Sequence, residues 1–138
     1  MTHLFADTSG WGNLVDLTQP YHTMAVTIYR TARQQGRKIV TTNYIITELV
    51  ALMTSPLRIA RPAIIAFIES LKASPCVEII HVNMNLDEQA WQLFKSRQDK
   101  EWSLTDCVSF MLMKQRSIME SLTTDYHFEQ AEFIRLLK

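Results

Sequence analysis

Four carboxylates in this chain stand where their neighbours give them chemical meaning. Asp7 closes the apolar run His3-Leu4-Phe5-Ala6 and is followed by Thr8, Ser9 and Gly10. Glu48 interrupts the apolar stretch Ile45-Ile46-Thr47-Glu48-Leu49-Val50. Asp106 ends Ser103-Leu104-Thr105-Asp106 ahead of another apolar segment, and Asp125 follows Leu122-Thr123-Thr124. A strand that stops at an aspartate delivers it to the carboxyl edge of a sheet, where open α/β folds place their ligands. Helices that follow parallel strands begin at that same edge, and their dipoles favour an anion there. Asp7 and Asp125 as strand ends, with Glu48 and Asp106 as early helical residues, therefore converge on one small volume.

Crowded acids repel and raise one another's pKa values. A hard divalent ion with oxygen ligands relieves that repulsion, which points to Mg²⁺ or Mn²⁺. There is no Cys/His set to suggest zinc. A carboxylate-bound ion of this kind lowers the pKa of a bound water and offsets charge on a phosphorane-like transition state, so the chemistry indicated is phosphodiester cleavage. Each acid also has a plainer reading. Asp106 serves equally as a helix-start carboxylate, and Asp7 and Asp125 as turn formers after strands. Glu48 either faces solvent or points into a site.

The elements that must position these acids are readable in order. After the first strand, Ser9 to Val15 reads as a turn and short helix, and Gln19-Pro20 breaks it. An amphipathic helix spans about His22 to Gln35, with Met24, Ala25, Ile28, Tyr29 and Ala32 on one stripe and Gly36 as its C′ residue. Lys38 to Thr41 is a second strand. Thr41-Thr42-Asn43 offers caps for the helix that carries Glu48, which Ser55-Pro56 closes. Pro62 suits the first turn of the next helix, through Leu71. Val77 to Val82 is the clearest strand. Asn85 to Glu88 has capping-box spacing and starts a helix carrying Ala90, Trp91, Leu93 and Phe94. A charged linker, Lys95 to Glu101, leads to the Asp106 helix. Leu122-Thr123-Thr124 reads as a short strand, and Phe133 to Leu137 as an edge strand. Strands alternating with helices imply a mainly parallel central sheet covered on both faces, a three-layer α/β/α sandwich.

The 138 residues suit a single domain, 1–138, with one hydrophobic core. Lys+Arg and Asp+Glu both number 14, so net charge is zero and any hold on a polyanion must come from local basic patches. Neutrality also favours association with a partner or a second copy. No stretch has the length or character of a membrane span or signal peptide, and Cys76 and Cys107 lack zinc or redox spacing, which fits a reducing cytoplasm. Each cysteine reads as a small buried hydrophobe.

In order and spacing, Ala6-Asp7-Thr8-Ser9, Thr41-Thr42-Asn43-Tyr44 leading to Glu48, Trp102-Ser103-Leu104-Thr105-Asp106 and Thr123-Thr124-Asp125-Tyr126-His127-Phe128 resemble the PIN-domain ribonucleases, particularly small VapC-like toxins of toxin–antitoxin pairs. The resemblance spans nearly the whole chain. It implies a PIN-like fold and an Mg²⁺- or Mn²⁺-dependent endoribonuclease centred on Asp7, Glu48, Asp106 and Asp125. It also implies supporting hydroxyls at Thr8 or Ser9 and at Thr123, a homodimer, and a small antitoxin that fills the active-site groove. Tyr126 departs from the pattern, because a basic residue is common there.

Arg58 and Arg61, in the break after the Glu48 helix, are candidates for contact with RNA. His127 is either a packing or loop residue, or a substrate-binding one that acts as a donor beside the acids or as a phosphate contact. Trp11, Tyr44 and Trp102 read first as core, and otherwise as platforms for unpaired bases. The competing class is a catalytically silent PIN-like module that binds RNA or protein. A phosphoacceptor receiver domain needs paired acids after the first strand and a late lysine, and neither is present.

Overall fold

In the computed structural model, which describes residues 2–138, the chain is built around a five-stranded sheet. Its strands are β1 (Leu4–Ala6), β2 (Ile39–Thr42), β3 (Val77–Ile80), β4 (Glu120–Leu122) and β5 (Ile134–Arg135). They lie in the order β3-β2-β1-β4-β5, and every pairing is parallel. The helices are α1 (Thr8–Val15), α2 (His22–Gln34), α3 (Asn43–Thr54), α4 (Arg61–Ala73), α5 (Met84–Ser96), α6 (Leu104–Gln115) and α7 (His127–Gln130).

All residues of β1 and β2 are buried, so side chains on both faces of these strands are covered. The register aligns Phe5 with Val40 and Ser121 on one face, and Leu4 with Ile39 on the other. On the first face Phe5 meets Phe128, which packs edge-on against Phe110 of α6, and Trp102 and Phe133 extend the cluster. On the second, Trp11 of α1 donates its indole N–H to Thr41 Oγ1. Helices therefore lie on both faces, which is the three-layer α/β/α sandwich expected of a PIN-like chain. The chain lays down β1, β2 and β3 in one direction, then crosses β1 to start β4. That reversal places the topological switch point between the carboxyl ends of β1 and β4. No helix of the described residues is long and apolar enough to cross a membrane.

Several boundaries differ from the sequence expectation, each for a local reason. α1 begins one residue early because the Asp7 side chain itself caps it, accepting from the Gly10 amide. α5 is capped by Asn83 rather than Asn85; Asn83 has extended backbone and accepts from Leu86 N, so the helix starts at Met84 and runs on to Ser96, into the expected linker. β3 stops at Ile80, short of Val82. β4 occupies Glu120–Leu122, two residues ahead of the expected strand, because Thr124 and Asp125 give their amides to side-chain oxygens instead of a ladder. The four-residue α7 had no counterpart in the sequence reading. Cys107 is buried as expected, while Cys76 is only half-buried.

Two glycines are required by geometry. Gly36, at φ +71°, ends α2 with its amide bonded to the Arg33 carbonyl and that of Arg37 to the Ala32 carbonyl, a Schellman closure. Gly10 lets α1 sit directly on β4: a Cβ there would lie 2.0 Å from the Leu122 carbonyl oxygen. We therefore expect Gly10→Ala to cost about 1–3 kcal/mol, as overpacking does, read as a lower midpoint in urea denaturation. An unchanged midpoint would show that α1 is not seated against β4.

Candidate active site

Asp7 is fixed from three sides. Its Oδ1 accepts from Gly10 N at 3.0 Å and Ser9 Oγ at 2.7 Å, and its Oδ2 from Thr123 Oγ1 at 2.8 Å. Both hydroxyls are oriented in turn, since Ser9 Oγ accepts from Thr124 N and Thr123 Oγ1 from Asp125 N. With their single protons committed to Asp7, the two hydroxyl oxygens approach to 3.2 Å as acceptors. The carboxyl is only 6% exposed, and burial raises its pKa from 3.8 to about 7; the three hydrogen bonds oppose the rise and the charge of Asp125 adds to it.

Asp106 and Asp125 face each other across His127. Asp106 lies in the first turn of α6, where it and Ser103 form a reciprocal capping box. Asp125 Oδ1 accepts from the His127 amide at 2.9 Å. The ring atom His127 Nδ1 is 3.3 Å from both Asp106 Oδ2 and Asp125 Oδ1. Burial first, and the charge of Asp125 after it, push the Asp106 carboxyl above its ordinary range, while the Ser103 amide and His127 pull the other way. Asp7 joins this pair through Thr123, whose hydroxyl donates to Asp7 Oδ2 and accepts from the Asp125 amide.

Glu48 is more loosely attached. It is exposed on α3, and Thr8 donates to its Oε1 at 2.7 Å, which joins it to the Asp7 turn. Arg58 and Arg61 follow the far end of α3, a 12-residue helix whose start faces the acids. At 1.5 Å per residue that helix is roughly 18 Å long, and neither arginine bonds to any of the four acids. Trp11 and Trp102 are core, and the Tyr44 hydroxyl donates to Asp87. The sequence reading missed Arg135, whose Nη1 donates to the Thr124 carbonyl while it pairs with Glu129, bracing the acidic loop from β5. No spacing in the sequence marked that contact.

The donor set fits a hard divalent cation. Asp106, Asp125 and His127 offer ligand atoms that all lie within 4.8 Å of one another. His127 Nδ1 lies 3.3 Å from a carboxylate oxygen of each aspartate, at a point where two negative charges favour a cation. Asp7 Oδ2 accepts a single hydrogen bond, from Thr123 Oγ1, and so keeps a free lone pair.

Burial of Asp7 makes a signed prediction. The folded carboxyl keeps its proton up to about pH 7, whereas the unfolded one loses it near 3.8. The stabilisation is complete below pH 3.8 and is lost as pH rises to about 7, a span worth roughly 4 kcal/mol. Asp7→Asn removes the term yet still accepts from Gly10 N. In EDTA we expect its melting temperature to exceed that of the parent chain increasingly from pH 4 to 7. Parallel pH profiles for the two proteins would show that Asp7 is not held protonated.

No protein-family model matches the chain. The chain is 26% identical over 133 residues to the 23S rRNA-specific endonuclease VapC20 of two strains of Mycobacterium tuberculosis, covering 96% of this chain and 97% of that protein. The crystal structure of M. tuberculosis VapC20, described as a sarcin–ricin loop cleaving toxin, superposes with a TM-score of 0.85 at 26% identity, covering 98% of this chain and 99% of that one. Likeness in sequence and likeness in fold thus run over nearly the full length of both chains, and the chain is similar to VapC20 in both.

Proposed function

We propose that the chain is a metal-dependent endoribonuclease, the toxin of a toxin–antitoxin pair, whose centre is Asp7, Asp106, Asp125 and Glu48. The observation that carries this reading is the pair Asp106 and Asp125 facing each other across His127, with buried Asp7 tied into the same loop by Thr123. The full-length likeness to VapC20, a protein named for cutting 23S rRNA, supports RNA as the substrate.

In this reading Asp7, Asp106 and Asp125 hold Mg²⁺ or Mn²⁺, which when bound supplies an activated water and offsets charge on the phosphoryl oxygens. Ser9 and Thr123 aim the Asp7 carboxylate, as outer hydrogen bonds orient metal ligands generally. With no ion bound, His127 Nδ1 bridges Asp106 and Asp125 from 3.3 Å. Glu48, the one exposed acid of the four, is placed by Thr8 to accept a proton at the solvent side. Arg58 and Arg61, beyond the far end of α3, reach RNA only away from the cut. We assign the protein a small antitoxin as partner and a homodimer as its assembly, in the cytoplasm.

The test is cleavage of total RNA, and of an isolated ribosomal RNA stem-loop, by purified protein in Mn²⁺, Mg²⁺ or EDTA. We expect discrete fragments that require metal and disappear with Asp106→Asn. Thr123→Val keeps the shape of the side chain but frees Asp7 Oδ2, and its cleavage rate should fall about 10- to 100-fold with secondary structure intact. Cleavage that persists in EDTA, or full activity in Asp106→Asn, would remove the metal centre from the mechanism.

A further inference from the structure

Among the described residues three aromatic side chains are well exposed: Tyr126 at 53%, Trp91 at 43% and Phe94 at 39%. Tyr126 stands in the acidic loop itself, tilted against the His127 ring. Trp91 and Phe94 lie one turn apart on α5 and stack nearly parallel, with centroids 5.5 Å apart and planes 14° from parallel. A stacked Trp–Phe pair facing water forgoes a large hydrophobic gain, and such apolar surface marks a place where something binds.

The packing of α5 brings Phe94 into a groove with the residue that follows Asp106. α5 and α6 run antiparallel: Gln89, midway along α5, bonds to Gln115 at the end of α6, while Phe94, late in α5, shares a groove with Cys107 near the start of α6. That groove, about 260 Å³, is lined by Phe94, Arg97, Gln98, Lys100, Trp102 and Cys107. It opens beside the helix turn that presents Asp106. On its wall Arg97 lies over the Trp102 ring at 5.0 Å and pairs with Asp99, which Lys100 also approaches. Over residues 95–101, three cations (Lys95, Arg97, Lys100) against two acids (Asp99, Glu101) leave one positive charge, 3 − 2.

A cluster of carboxylates repels the phosphates that flank a cut, so a substrate strand needs attraction beside the centre. Flat exposed rings with cations between them supply it for unpaired bases, which stack on any aromatic face. We propose that the α5–α6 groove, with Phe94 on its wall and Trp91 stacked on Phe94, is a subsite for an unpaired RNA strand flanking the scissile phosphate. Bases stack on the two rings, and Lys95, Arg97 and Lys100 meet the phosphates. Duplex RNA, whose bases are already stacked, does not bind there. The subsite deepens the ribonuclease reading and rests on it.

The test measures binding of a short fluorescein-labelled single-stranded RNA, and of the same strand annealed to its complement, by anisotropy in EDTA so that nothing is cut. Parent protein is compared with Trp91→Ala/Phe94→Ala, Trp91→Phe and Lys100→Gln, each checked for parental circular dichroism. The double variant should bind the single strand about ten-fold or more weakly, Trp91→Phe should retain most of the affinity, and Lys100→Gln should reduce the salt slope by about 0.7. Unchanged RNA affinity in the double variant overturns the subsite, and metal-dependent cleavage by that variant would leave the nuclease reading standing. Loss of self-association by light scattering, with RNA affinity unchanged, also overturns it and makes the pair a protein interface. If the parent protein neither binds nor cuts RNA, the ribonuclease reading fails and the subsite with it.

Discussion

Asp7 ends β1, caps α1 and accepts the hydroxyls of both Ser9 and Thr123 while nearly sealed from solvent. Those bonds are not enough to keep its charge at ordinary acidity, because loss of water outweighs them. The surroundings follow from holding this one group still. Gly10 must lack a side chain so that the capped helix can press on β4, and Thr123 must leave the β4 ladder so that its hydroxyl can turn toward Asp7. The carboxylate is fixed in position but poorly solvated, which is the state a cation improves most.

The same economy recurs at Asp106. Its carboxylate completes a capping box and simultaneously confronts Asp125, so helix stability and site geometry share one side chain. α7 brings His127 between the acids, and Arg135 reaches back from β5 to hold the loop. Asp7, at the end of β1, is secured by Thr123 from beyond β4, on the other side of the switch point. The centre is therefore a junction between the two halves of the sheet.

Much of this was legible before any coordinates. Strand ends and helix starts obey simple edge rules in a parallel sheet, and those rules bring Asp7, Asp106 and Asp125 together. What escaped was set by contacts with no local signature. α7 is too short to show a helical period, so His127 had no visible reason to stand between two carboxylates. Thr123 and Thr124 have strand-forming side chains, but their polar atoms serve the site. Trp91 and Phe94 were legible only as apolar residues of the α5 helix, and helix packing turns them outward. Arg58 and Arg61, candidates for RNA contact from their place after the Glu48 helix, lie a full helix length beyond the edge where α3 begins.

The bond from Thr123 to Asp7 closes a sequence separation of 116 residues. A ribosome making roughly 5–20 residues per second takes about 6–23 s to travel that far. Throughout that interval the emerging chain has Asp7 but neither Asp125 nor the hydroxyl that aims Asp7. A protein of this build is born latent: the order in which its residues leave the ribosome delays assembly of the acidic centre until nearly the whole chain exists, giving any inhibitor made alongside it time to arrive.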